Sequence, residues 1–298
     1  MKIRVAVVGY GNIGRYALQA IEAAPDMECA GIVRRVVPSV AVPGLEGYKV
    51  VSDIRELGPV DVAILSTPSR SVEENAVKYL SMGINTVDSF DIHSGIFDLK
   101  HTLTPAACKA GAVSIISAGW DPGTDSIVRT LMQGMVPDGV TYTNFGPGRS
   151  MGHSVAAASK PGVRKALSMT IPVGKGIHRR EVYVELEDGA DFAAVEQAIK
   201  SDPYFVNDET SVVRVESVDA IDTHAHGVKL ERCGASGTTN NQQMDFNMRI
   251  NNPALTGQVL VMAARATMKQ NPGCYTMIEV PVIDFLAGER EDLIKKLV

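Results

Sequence analysis

Four groups of residues in this sequence have the types and spacing to do chemistry. The first is Gly9-x-Gly11-x-x-Gly14, with Tyr10, Asn12 and Ile13 between the glycines. It follows an apolar run, Ile3 to Val8, and leads into Ile13, Ala17, Ala20, Ile21 and Ala24, a helical period that Pro25 ends. Strand before and helix after give the glycines distinct roles. Gly9 permits a tight turn, Gly11 lets the backbone approach a pyrophosphate, and Gly14 lets the helix pack on the strand. The helix N-terminus then faces the anion. The second group is Arg34-Arg35, about twenty residues beyond the last glycine, where an enzyme for NAD places a carboxylate on the ribose 2′-hydroxyl. Two guanidiniums suit a 2′-phosphate instead, so the sequence reads as NADP(H)-binding.

The third group is a pair of aspartates. Asp91 lies in "SFDIH" and Asp121 in "GWDPG", beside Trp120, the only tryptophan. A lone tryptophan in a Gly/Pro turn next to a charge lines a pocket more often than it fills a core. A competing reading makes Asp121 the cap of the helix that follows, since Asp-Pro-Gly is a strong turn signal, and Asp91 a solvated loop residue. The fourth group is the basic cluster His178-Arg179-Arg180, which composition alone assigns to the surface, and the pair His224-x-His226. No Cys, Asp or Glu at ligand spacing accompanies those histidines, so no metal site is read. Gly148-Arg149-Ser150-Met151-Gly152 matches the GxSxG pattern of serine hydrolases. Pro147 precedes it and it lies outside the alternating segment, so the match reads as coincidence.

The elements that must carry these residues follow from periodicity. Strands are expected over 3–8, 27–33, 48–52, 61–66, 84–90 and 112–118, with helices over 71–82 and 98–109, the first capped by Gly83 and the second ended by Gly111. Alternating strands and helices make an α/β fold, a doubly wound parallel Rossmann sheet whose ligands lie beyond the carboxyl ends of the strands. The glycine turn, Arg34-Arg35, "STPSRS" with Ser66, Thr67 and Pro68, Asp91 and Trp120-Asp121 all fall there. After a helix over 124–135 the pattern changes to alternating, largely antiparallel strands: "VTYTNF", "REVYVELE", "SVVRVESV", "GVKLER" and "QQMDFNMRI". Helices over 155–169 and 191–200 should cover one face. This is a second, α+β domain for substrate binding and dimerisation. Asn252 reads as the N-cap of a helix with Pro253 in its first position. The domains are therefore 1–120 for the cofactor, with 253–298 returning to it, and 121–252 for the substrate.

Bulk properties exclude other classes. The chain has 298 residues, 45% hydrophobic and 21% charged, with a net charge of -5, which argues against nucleic acid or an anionic membrane as partner. No apolar run is long enough to span a bilayer and no signal peptide is visible. Four scattered cysteines without a CxxC fit reduced thiols in a cytoplasm.

"VVGYGNIGR", "VDSFDIH", "SAGWDPGTDSI", "FGPGRSMGHS" and "RINNPALT" occur in this order over nearly the whole chain. Together they resemble the meso-diaminopimelate dehydrogenases, NADP-dependent amino-acid dehydrogenases of lysine biosynthesis. The resemblance implies oxidative deamination of the D-centre of meso-2,6-diaminopimelate to L-2-amino-6-oxopimelate, which cyclises to tetrahydrodipicolinate. It also implies a homodimer and no metal. Carried over by motif, Asp91 and Asp121 would surround the D-centre ammonium with Trp120 beside them. Met151 and Gly152 would contact the backbone-like end of the substrate, and Phe145 would line its site. Thr170, Arg180, His226 and Asn252 would hold the distal L-centre carboxylate. Many family members have glutamine where this chain has Met151, whose thioether is a weak acceptor, so the pocket reads as looser at that end. The residue types suit the chemistry: carboxylates for ammonium groups and an arginine fork for a carboxylate. Two other readings are reduction of a related imine or carbonyl, and a non-catalytic NADP(H) sensor. Sugar oxidoreductases with similar domains carry Glu-Lys-Pro where this chain has "DSFDIH", without the lysine.

Overall fold

The computed structural model describes residues 2–36, 42–221 and 226–298, and for Met151 and Gly152 the backbone only. The chain divides into two compact units, Met1–Thr130 with Pro253–Val298, and Leu131–Asn252. The cut falls later than the expected boundary at 120, because Ile127 still packs against the core of the first unit.

In the first unit the strands β1 (Ile3–Val8), β2 (Met27–Val33), β3 (Val50–Val51), β4 (Val62–Leu65), β5 (Asn85–Asp88) and β6 (Val113–Ile116) alternate with the helices α1 (Asn12–Ala23), α2 (Val72–Leu80) and α3 (Ile96–Ala110), and α4 (Thr124–Met135) begins in this unit and ends in the second. Several strands are shorter than periodicity suggested; β3 pairs only through Val50 and Val51. The side-chain period of two sends Val5 and Val7 to one face and Ala6 and Val8 to the other. Val5 and Val7 join Ala17, Leu18 and Ile21 of α1. Ala6 and Val8 join Val72 and Ala76 of α2 and Leu99 and Leu103 of α3. Both faces are covered, which is why β1 reads as a continuous apolar run. Each fully buried Val, Leu or Ile contributes roughly 1.5–3 kcal/mol relative to exposure.

The second unit holds β7 (Asp138–Phe145), β8 (Gly148–Arg149), α5 (Met151–Ala158), β9 (Val163–Gly174), β10 (Ile177–Leu186), α6 (Phe192–Lys200), β11 (Glu209–Arg214), β12 (His226–Ser236) and β13 (Thr239–Ile250). They form two sheets, β11-β10-β9-β8 and β13-β12-β7. The second is antiparallel, but β10 and β11 run parallel. The helix expected over 155–169 is corrected. It starts earlier, at Met151, and ends at Ala158, and most of the remainder is β9. Pro161-Gly162 breaks it: proline cannot continue a helix and Gly162 has φ +83°. Residues of α5 and α6 then pack with Val163, Ala166, Val182 and Val184 of the sheet.

The chain closes with α7 (Asn252–Thr267), β14 (Gly273–Thr276) and α8 (Arg290–Leu297). Asn252 is the first helical residue rather than the cap before it. Leu260, Ala263 and Ala264 of α7 join the α1 side of the core. Gly257 brings α7 onto α1 so closely that a Cβ there would lie 2.7 Å from the Ala17 nitrogen. β14 adds beside β6, giving a wholly parallel sheet in the order β14-β6-β5-β4-β1-β2-β3. The order reverses between β1 and β4. The loops leaving these two strands diverge and open a crevice at their carboxyl ends.

Candidate active site

The crevice is built from Gly9 to Gly14 on one side and Ser66 to Pro68 on the other. Gly9 has φ +90°, and a Cβ there would come within 2.6 Å of the Ser66 carbonyl oxygen. A Cβ on Gly14 would lie 2.4 Å from the Gly9 carbonyl oxygen. Both glycines are required by the protein's own packing. Gly11 is different: nothing lies within 4 Å of a Cβ built there, so its missing side chain leaves room for something else. Gly11 caps α1 without a side-chain hydrogen bond, and no acidic residue occupies the first turn, where Asn12 and Ile13 begin the helix. Helix dipole and uncapped amides together make an anion site. Ser66 Oγ and Thr67 Oγ1 are buried without partners among the described residues, and Pro68 follows them. Buried hydroxyls in that state suit a bound polar group. Tyr10 closes the turn from outside, donating its hydroxyl to the Gly44 carbonyl at 3.0 Å. These features fit a dinucleotide.

Gly9 N–H donates to the Val33 carbonyl, and Arg34 N–H to that of Val51. These bonds set Arg34 and Arg35 immediately past β2, beside the glycine turn. Arg34 is half-buried and Arg35 exposed. Neither guanidinium has an ion-pair partner among the described residues.

Two further loops leave the same edge of the sheet. Asp91 follows β5; it is exposed, and Ser69 Oγ donates to its Oδ1 at 2.6 Å. The loop after β6 carries Trp120, 94% buried, and the half-buried Asp121, whose bond to Pro122 is cis. The Asp125 and Thr124 amides donate to the Trp120 and Gly119 carbonyls and fold this loop onto the start of α4. Burial pushes the Asp121 carboxyl up to about 7, reinforced by the charge and hydrogen bond of Asp125 and opposed by Arg129. Asp125 is itself buried and takes two bonds from Arg129, Nε at 3.0 Å and Nη2 at 2.8 Å. A carboxyl raised toward neutrality lies in the range where a general acid–base works. A nearby cavity of about 180 Å³, lined by Ile96, Ser117, Pro122, Gly123 and Met277 among others, presents no charged side chain. It does not suit a charged ligand.

In the second unit, antiparallel register sets Arg180 of β10 opposite Thr170 of β9. Arg180 Nη1 donates to Thr170 Oγ1, and Nε to Asp208 Oδ2 at 2.6 Å. Nη2 has no partner among the described residues. The side chain is only 13% exposed, which sets it apart from a surface cluster. Phe145 ends β7, donating its N–H to His178 Nε2 at 2.8 Å, and the two rings stack with centroids 6.0 Å apart. Burial, then the Arg180 charge, holds His178 below the ordinary histidine range, consistent with its accepting role. His226 opens β12 and is likewise held down by burial. The Gly227 N–H donates to its Nδ1 at 2.7 Å. His226 pairs with Ile250 across β12–β13, two residues before Asn252. Met151 and Gly152 open α5 just after Arg149 of β8.

Thus Arg180 bonds to Thr170 and Asp208, Phe145 bonds to and stacks on His178, and His226 pairs with Ile250, two residues before Asn252. Asp208, Asp125 and His178 were not identified as site residues from the sequence. His178 was visible only as part of a basic cluster, and the two aspartates carried no motif. Ser150 is flanked by a short strand and a helix after all, a correction to the reading of its surroundings. Its hydroxyl meets His153 Nδ1 at 2.8 Å within one helical turn, and the sheet it leaves is not parallel. His224 lies outside the described residues, among which no group of three His, Cys, Asp or Glu could hold a metal.

Residues 119–252 match the family model of the diaminopimelic acid dehydrogenase C-terminal domain, and residues 3–87 that of the oxidoreductase family with an NAD-binding Rossmann fold. The meso-diaminopimelate D-dehydrogenase of Bacteroides fragilis is 64% identical over 297 residues, covering 100% of this chain and 99% of its own. Among solved structures, C. glutamicum DAP dehydrogenase in complex with DAP matches with a TM-score of 0.83 at 31% identity, covering 100% and 99% of the two chains. An engineered D-amino acid dehydrogenase bound to NADP+ matches with a TM-score of 0.78 at 30% identity, over 100% of both. By this full-length similarity the chain belongs to the meso-diaminopimelate D-dehydrogenase family.

Proposed function

We propose that the chain catalyses the reversible, NADP-dependent oxidative deamination of the D-centre of meso-2,6-diaminopimelate, giving L-2-amino-6-oxopimelate and ammonia, in lysine biosynthesis. The observation that carries the reading is the placement of Asp91, Trp120 and Asp121 in the loops after β5 and β6, at the ligand-binding edge of a dinucleotide-binding sheet, where burial pushes the Asp121 carboxyl up. When bound, the nicotinamide supplies the hydride chemistry and the protein supplies orientation. Gly9 to Gly14 would hold the pyrophosphate, with Ser66, Thr67 and Pro68 opposite. Arg34 and Arg35 would hold the 2′-phosphate and set the preference for NADP over NAD. Asp91 and Asp121 would bind the D-centre ammonium with Trp120 as a wall. Asp121 would accept a proton from the ammonium and release it to solvent, then, ionised again, take a proton from the adding water and pass it to the departing nitrogen. Arg180, held by Asp208 and Thr170, would take the distal carboxylate, with His226 and Asn252 as further contacts. Met151 and Gly152, with Phe145, would flank the rest of the substrate.

The same reading makes the protein a cytoplasmic homodimer. Its free cysteines suit a reducing compartment. The second unit leaves Val140, Val173 and Ile177 more than half exposed, the kind of surface a second copy covers. The test is NADPH formation in alkaline buffer with meso-, LL- or DD-diaminopimelate, each with NADP or NAD. Turnover of the meso isomer with NADP and little of the LL isomer is expected. NADPH binding without turnover of any isomer would refute the reaction and favour the sensor or a different carbonyl substrate.

A further inference from the structure

We infer that Asp88 is a positioning residue for this reaction: one buried carboxylate holds both loops that carry Asp91 and Asp121. The inference rests on the proposed roles of those two aspartates. Asp88 is the last residue of β5, where a strand covered on both faces calls for an apolar side chain, and it is completely inaccessible to solvent. A carboxylate is costly there unless it is hydrogen-bonded. Its Oδ1 accepts two main-chain amides from different loops, Phe90 N–H at 2.9 Å and Ser117 N–H at 3.1 Å. The first bond fixes the turn that leads directly to Asp91. The second fixes the start of the loop to Trp120 and Asp121, and the Ala118 N–H reinforces it by donating to the Asp88 carbonyl at 2.6 Å.

Ser117 needs this anchor. It has φ +55°, in the left-handed region that a serine rarely adopts, and its Oγ is buried without a partner among the described residues. The hydrogen bonds to Asp88 make that conformation tenable and turn the chain toward Trp120. Acceptor capacity is the property that matters. Oδ2 has no partner among the described residues, so an asparagine could keep its carbonyl at the Oδ1 position and both amide bonds. A leucine of similar size suits the buried strand but leaves the Phe90 and Ser117 amides without an acceptor.

The experiment compares Asp88→Asn and Asp88→Leu with the parent. Readouts are kcat/KM for meso-diaminopimelate, NADPH affinity, and hydrogen exchange of the Phe90 and Ser117 amides. Asp88→Leu is expected to lower kcat/KM by about 100-fold, the scale of a small misplacement of reacting groups. NADPH affinity should stay within about twofold, and both amides should exchange at least about tenfold faster. Asp88→Asn should restore kcat/KM to within about tenfold of the parent and protect both amides. Three outcomes would overturn the inference: unchanged exchange at both amides in Asp88→Leu, an equal loss of NADPH affinity and turnover, or no rescue by asparagine. If the parent itself fails to turn over diaminopimelate, the substrate reading falls, and the exchange data still decide whether Asp88 holds the two loops.

Discussion

Asp125→Asn probes the proton chemistry without touching Asp121. The Asp121 carboxyl rises from an ordinary 3.8 to about 7, first through burial and then through the charge and hydrogen bond of Asp125. Burial survives the substitution. Removing a like charge beside a carboxyl lowers its pKa by on the order of one unit, equivalent to ~1.4 kcal/mol. Arg129, which opposes the rise and now binds Asp125 through two nitrogens, is released to act in the same direction. Deamination needs Asp121 ionised to accept a proton, so the acid limb of kcat/KM should move to lower pH by about one unit, while the plateau falls modestly because the base is weaker. The assay is NADPH formation across pH with saturating NADP and limiting meso-diaminopimelate, with the melting temperature as a control for folding. An acid limb that stays in place, or moves upward, in a folded variant would refute the coupling and with it the assignment of Asp121 as the titrating base.

Two further tests separate cofactor recognition from packing. Replacing Arg34 and Arg35 together by alanine should raise the NADP KM at least about tenfold, as loss of charge-assisted bonds implies, and leave the NAD KM nearly unchanged. An unaltered preference would dismiss the phosphate clamp. Gly11→Ala and Gly257→Ala should behave oppositely. A Cβ at Gly11 meets no protein atom within 4 Å, so that variant should melt normally yet bind NADPH poorly. A Cβ at Gly257 lies 2.7 Å from main-chain atoms of Tyr16 and Ala17, so that variant should lose about 1–3 kcal/mol and melt several degrees lower. Normal NADPH affinity in Gly11→Ala would mean that the ligand does not approach the backbone there.

The fold of the first unit was legible because its signals are local. A continuous apolar run means a strand covered twice, a glycine turn between strand and helix has few stereochemical solutions, and Arg34-Arg35 sits at a fixed offset from that turn. The second unit was less legible for the same reason in reverse. The segment "VRKALSMTIPV" lacks clean alternation, because β9 is buried unevenly between two neighbouring strands, and its true break lay in Pro161-Gly162.

The site divides similarly. Which residue types stand at the strand ends can be read along the chain: the glycines, the arginine pair, Ser66-Thr67, Asp91 and Trp120-Asp121. Their partners and surroundings come from folding. Arg180 becomes a pre-aimed fork because register places Thr170 opposite it and a turn 28 residues on brings Asp208 to its Nε. The Asp121 carboxyl is raised because folding buries it beside Asp125. Asp88, unremarkable in "VDSFDIH", becomes the joint between two loops because β5 and β6 are neighbours in the sheet. Protonation and orientation depend on solvent exclusion and on partners distant in the chain, and no local pattern of residues encodes either.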